Sequence, residues 1–166
     1  LGQVKAAFGF VPNLMAGIVD QNPAVAAAYL GAAAALEHGV LDATEKQVVM
    51  LAVSSFNDCH YCTAAHRTAA KGLGVAQAEL EAIDDKHLPT NPRMRILVEA
   101  TWALMAERGW LGEQKRASLG VTQPELYELI AIIALKTISN YVNHAQQTEV
   151  DAPFRAQAKR AIRKVA

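Results

Sequence analysis

Cysteine is scarce in this chain, with two residues among 166. Two thiols cannot build a disulfide scaffold, so covalent staples do not hold the fold together, and the pair is expected in a reducing, cytoplasmic setting. Charge of either sign is not in excess: 16 basic residues face 16 acidic ones. That balance offers no basic face and sets nucleic acid aside as a partner. No apolar run is long and unbroken enough to span a bilayer, so no membrane association is expected. Strand patterns are nearly missing, and no linker rich in Gly, Pro or Ser divides the chain. The start at Leu1 rather than Met leaves a preceding segment, and any export signal in it, open.

What remains is helix. Hydrophobic residues make up 52%, enough for a generous core with apolar surface to spare for a subunit interface. Asn22-Pro23 and Asn91-Pro92 each place a capping side chain before a proline whose missing N–H costs nothing in a first turn. Asp42 with Glu45, and Thr122 with Glu125, fit capping boxes. Gly39, Gly72 with Gly74, and Gly109 with Gly112 mark stops. These marks predict helices near 13–20, 23–37, 43–56, 59–72, 76–84, 92–108, 113–119, 123–146 and 152–164. Alanine-rich 24–36 reads as a tightly packed member of the set. The expectation is a single all-α domain over 1–166.

The chemistry sits in Cys59-His60-Tyr61-Cys62-Thr63-Ala64-Ala65-His66. Asn57 and Asp58 read as caps for a helix starting at Cys59, which puts both sulfurs in the first turn. There, unpaired N–H groups and the helix dipole favour thiolate. Cys62 and His66, four positions apart, share a face with Cys59 one turn before. Three readings stay open on spacing alone. A dithiol pair can cycle with a disulfide while the imidazole moves protons. Cys59, Cys62 and His66 can ligate zinc, with His38, His87 or His144 as a fourth ligand, although no second ligand pair exists. Or the three are ordinary packed residues. Covalent haem is excluded by Thr63 where that motif needs His. A thioredoxin-like fold fails because helix, not strand, precedes the motif.

The block Leu41–His66, ending in Cys-His-Tyr-Cys-Thr-Ala-Ala-His, resembles the AhpD-like alkylhydroperoxidases of the carboxymuconolactone decarboxylase superfamily. Gly9-Phe-Val-Pro-Asn13 and Asn140-Tyr-Val-Asn-His144 extend the likeness over most of the chain. The resemblance implies an all-helical homo-oligomer, a trimer or hexamer, that reduces hydroperoxides without metal or organic cofactor. By motif position it implies Cys62 as peroxidatic cysteine, Cys59 as resolving partner and proton donor, and His66 in the proton relay. This order is the reverse of the helix-dipole reading. It also implies recharging by an external dithiol or lipoyl group, some relatives serving a peroxiredoxin partner. The alternative within the family is a redox-sensing or disulfide-exchange module without significant turnover.

One departure bears on rate. The family's relay glutamate falls at Gln47, which can hold a hydrogen bond but cannot take a proton. Glu45 lies about 200° around the helix from it and is first a capping-box carboxylate. An internal repeat is also suggested, since an offset of 80 sets Leu41–Glu45 on Val121–Glu125 and Tyr61 on Tyr141. Asn140, Asn143 and His144 read as an interface or core cluster, with a polar lining of the site as alternative. Trp102, Met105 and Trp110 read as packing, and Phe8 and Phe10 as apolar anchors of the first segment. The basic stretch Arg155–Lys164 reads as a solvated helix face.

Overall fold

The computed structural model describes residues 2–159, among which no strand occurs. The helices are α1 Gly2–Phe8, α2 Asn13–Gln21, α3 Pro23–Leu36, α4 Ala43–Phe56, α5 His60–Gly72, α6 Gln77–Asp84, α7 Pro92–Ala106, α8 Glu113–Ser118 and α9 Gln123–Gln146. A 3-10 segment, Ala152–Gln157, follows them. The fold is all-α.

The caps act as their side chains dictate. Asn22 accepts from the Ala24 N–H, and Asn91 from the N–H groups of Arg93 and Met94. Both capping boxes close reciprocally, Asp42 with Glu45 and Thr122 with Glu125. Their glutamates then share one cation: Arg93 Nε reaches Glu45 at 2.6 Å and its Nη2 reaches Glu125 at 2.5 Å. The starts of α4 and α9 are tied through a single guanidinium, whose planar fork suits two carboxylates.

Helix α4 is the axle. Val48, Val49, Leu51, Ala52, Val53 and Ser54 are wholly buried, and the helix packs on α5, α6, α7 and α9. A helix apolar on nearly all sides is stable only in the middle of others. Beside it, Glu128 of α9 points its carboxylate at the turn before α4. There it accepts from the N–H groups of Val40, at 2.5 Å, and Leu41, at 3.0 Å. A Cβ on Gly39 would collide with that carboxylate, so glycine is a steric requirement of the turn.

Several expectations are corrected. Helix α1 carries no cap or periodicity strong enough to announce itself in the sequence. Asn57 and Asp58 do not cap α5: Cys59 is the N-cap, Asn57 closes α4, and Asp58 takes a left-handed turn conformation, φ 55°, beside Lys86. Alanine-rich α3 buries only Ala26 and Tyr29, because alanine sustains a helix without needing a core. Trp110 is 86% exposed, carried outward by the left-handed turn at Gly109, whereas Trp102 packs and donates to the Ala52 carbonyl. The described part of the last element is 3-10 rather than α, and Arg160, Arg163 and Lys164 of the basic stretch lie outside the described residues.

Candidate functional site

Backbone geometry sets the two sulfurs apart. Cys59, at the N-cap, donates its N–H to the Ser54 carbonyl, which brings α5 back tightly against the end of α4. Cys62 follows in the first turn, and both cysteines are reduced and 1% exposed. Only Cys62 borders a cavity. That cavity, of about 60 Å3, is also lined by Tyr29 of α3, Leu14 and Met15 of α2, Tyr61 and His66 of α5, Lys136 of α9 and Phe154. Its volume corresponds to about two water molecules in the liquid.

The polar groups around the Cys62 sulfur come from α9. Asn143 Nδ2 donates to Sγ at 3.2 Å, and Ser139 Oγ lies 4.0 Å away. Asn140 is held in place by Asn57, which donates to its Oδ1 at 2.9 Å. Burial opposes charge on Cys62. The Cys59 thiol, the Lys136 ammonium and the amides of Asn140 and Asn143 outweigh it, so the Cys62 thiol is lowered from 9.0 to about 5. Cys59 moves the other way, raised because it donates to Cys62 and is buried. The pair is therefore one thiolate and one thiol at neutral pH. The ultraviolet thiolate absorbance of the reduced protein should titrate with a midpoint near pH 5 and be flat above neutrality. A midpoint in the ordinary thiol range would contradict this assignment.

His66 faces the same cavity with its Nδ1 2.9 Å from Gln47 Oε1. The amide oxygen places the ring hydrogen on Nδ1 and leaves Nε2 as an acceptor. Burial and the Lys136 charge hold this imidazole well below 6.5, so it is neutral. Tyr61, between the cysteines, turns its hydroxyl to a buried carboxylate: it donates to Asp151, which also accepts from the Asn13 N–H at 3.1 Å. Phe154 stands edge-on to Tyr61, centroids 6.1 Å apart, and Phe10 lies 5.6 Å from Phe154.

The residues expected from the sequence divide cleanly. Cys62 and His66 meet at the cavity, Gln47 reaches it only through His66, and Cys59 stands behind the Cys62 sulfur. The Glu45 carboxylate is committed to the Asp42 N–H and to Arg93. His60, His38, His87 and His144 are exposed. Among the described residues no three His, Cys, Asp or Glu side chains are arranged to hold a metal ion. Asn140 and Asn143 are buried and hydrogen-bonded as a core cluster would be, and Asn143 in addition donates to the Cys62 sulfur. Lys136 was missed altogether, as were Tyr29 and Asp151. The available signal was a polar set, Lys136, Ser139 and Asn143, on the same helical stripe as Leu129 and Ile132.

Residues 23–85 match the carboxymuconolactone decarboxylase family model. A comparison with curated proteins finds no match. Among solved structures, the chain is similar to the alkylhydroperoxidase AhpD core of an uncharacterized peroxidase-related protein from Ralstonia eutropha JMP134. Identity there is 22%, coverage 92% of this chain and 83% of that one, and the TM-score 0.81. A peroxidase-related protein from Silicibacter sp. TM1040 aligns at 20% identity over 92% and 83%, with TM-score 0.78. The debrominase Bmp8 aligns at 21% over 92% and 84%, with TM-score 0.72. At these identities the structural likeness is one of fold.

Proposed function

We propose that this chain, an AhpD-like member of the carboxymuconolactone decarboxylase superfamily, is a thiol-dependent hydroperoxide reductase. The observation that carries this reading is the asymmetry of the pair: the Cys62 sulfur borders the cavity as a stabilised thiolate, and Cys59 stands behind it as a thiol. A thiolate is the nucleophile that O–O cleavage needs. Cys62 attacks the terminal peroxide oxygen and becomes sulfenic acid, releasing alcohol or water. Cys59 then attacks the Cys62 sulfur. Its proton passes through His66 Nε2 to the departing hydroxide, and a disulfide forms. An external dithiol or lipoyl group restores the pair, in a cytoplasmic, homo-oligomeric protein. The exposed faces of α3 and of Tyr127, Ile130 and Tyr141 on α9 support assembly with further copies.

The cavity, at about 60 Å3, suits hydrogen peroxide or the O–O head of a larger hydroperoxide. The direct test is the number of free thiols per chain before and after one equivalent of hydrogen peroxide, then after dihydrolipoamide. Two thiols should vanish and return. Persistence of both would remove peroxide as substrate.

Gln47 favours one second reading, a redox-sensing or disulfide-exchange module with little turnover. Gln47→Glu separates the two. The carboxylate should raise the His66 pKa, seen by NMR titration, while peroxide oxidation changes by no more than about twofold if the site has its own proton source. A gain of about a hundredfold, the scale of a restored general acid–base group, would favour the sensing module.

A further inference from the structure

We propose that Lys136 is the proton donor for peroxide cleavage at this site, paired with the Cys62 thiolate before the reaction and left as a neutral amine after it. The inference rests on the reductase reading above and assigns a residue that the motif does not contain.

The geometry begins with α9. The Lys136 side chain is 2% exposed and lines the same cavity as Cys62 and His66. Among the described residues it makes no ion pair with any carboxylate. A buried ammonium needs a counter-charge. The groups that face it supply only one strong candidate. Helix α3 brings the phenol of Tyr29, while α5 brings Cys59, Cys62, Tyr61 and a neutral His66. Helix α4 brings the uncharged Gln47 through His66, and α2 offers Leu14 and Met15. The Asp151 carboxylate is already taken by Tyr61 and the Asn13 amide. Burial pushes the lysine down, and the Cys62 charge reverses this, so it is held above its ordinary value. Lysine and thiolate each keep the other charged.

The reaction removes one member of the pair. The Cys62 sulfur donates two electrons to the terminal oxygen of ROOH, forming S–O and breaking O–O. The leaving alkoxide takes a proton from Lys136, giving sulfenic acid, ROH and a neutral amine. With the thiolate consumed, burial acts on Lys136 unopposed and favours that neutral form. Cys59 thiol and Cys62 sulfenic acid then give disulfide and water. When an external dithiol reduces the disulfide, the proton destined for Cys62 settles on Lys136 and the ion pair returns. Atoms and charge balance without a proton from solvent at any step. This also explains how a site with glutamine at position 47 can dispense with a carboxylic acid.

Proton counting tests this on the unaltered protein. Reduced chain in weak buffer at neutral pH, with a pH indicator, receives one equivalent of hydrogen peroxide while thiolate absorbance is followed. Loss of the thiolate with close to zero proton uptake is the expected result. Uptake of about one proton per chain would overturn the proposal, because Lys136 would then have stayed charged. Lys136→Arg keeps the charge but cannot release a proton, so uptake should rise to about one per chain with the thiolate retained. Unchanged zero uptake in that variant would point to another donor and overturn the assignment. Lys136→Met should cut the thiolate fraction at pH 6 by about a hundredfold as Cys62 returns toward an ordinary thiol, and an unchanged fraction would likewise overturn it. Closing the disulfide with diamide reads the same proton count without peroxide. If peroxide leaves the thiols intact but diamide closes the disulfide without proton uptake, the reductase reading fails and the donor role in peroxide cleavage with it, while the Lys136–Cys62 charge pair stands.

Discussion

Cys62→Ser should abolish peroxide-driven thiol loss, a drop of at least about a thousandfold, while Cys59→Ser should stop the cycle one step later. The two sulfurs differ by position. Cys62 borders the cavity with an Asn143 amide on its sulfur, and Cys59 does not border it. In Cys59→Ser the remaining thiolate still meets peroxide, but no second sulfur can resolve the sulfenic acid. Its accumulation is read by mass spectrometry after dimedone trapping, with one thiol lost per chain. Serine at 59 retains a hydroxyl that can donate to Cys62, so the thiolate should persist. Equal loss of reaction in both variants would mean that the sulfurs are not divided in this way. Trapping on Cys59 in the Cys62→Ser chain would reverse the assignment and restore the helix-dipole order.

The largest expected effect on stability lies away from the thiols, at Gly39. An added Cβ meets the Glu128 carboxylate, which is buried and holds the N–H groups of Val40 and Leu41. Glu128 also lies 3.9 Å from the buried cation of Lys46. Gly39→Ala forces that carboxylate out and strands both amides. The cost should be about 3 kcal/mol by urea unfolding, or a fall in Tm of about 6–12 °C. Glu128→Ala alone should cost a similar amount. The double variant should then be markedly less destabilised than the sum, since the methyl no longer has a carboxylate to strike. Additive losses would mean the glycine serves some other purpose.

Local chemistry made much of the fold legible. Asp42, Thr122, Asn22 and Asn91 cap as their side chains and following residues demand, so the starts of four helices could be read directly. The sense of each face was harder. Alanine in α3 satisfies helix propensity equally well in core or solvent, and only tertiary packing decides. Cys59, Cys62 and His66 were legible because eight consecutive positions at one helix end contain all three. Lys136, Asn143, Tyr29 and Asp151 come from other elements, and no local spacing links them to a cysteine. Yet Lys136 interrupts an otherwise buried stripe, and a cation there has to find an anion. That physical oddity was visible, though its partner was not.

The tie from Asp151 to Asn13 spans 138 residues of chain. Through Tyr61 it also fastens the middle of the sequence, so the cavity walls are drawn from both ends and the centre. Loop closure of this length comes late and depends on the intervening helices. During synthesis, α4 and α5 can therefore pair with their two thiols long before any pocket encloses them. The chain acquires a selective sulfur only when α9 has packed against α5, and the Asp151 tie then closes the cavity beside it. Until then Cys62 has neither Lys136 nor Asn143 beside it, and it behaves as an ordinary cysteine. Reactivity at this site is thus a property of the finished chain, arriving with α9 rather than with the motif.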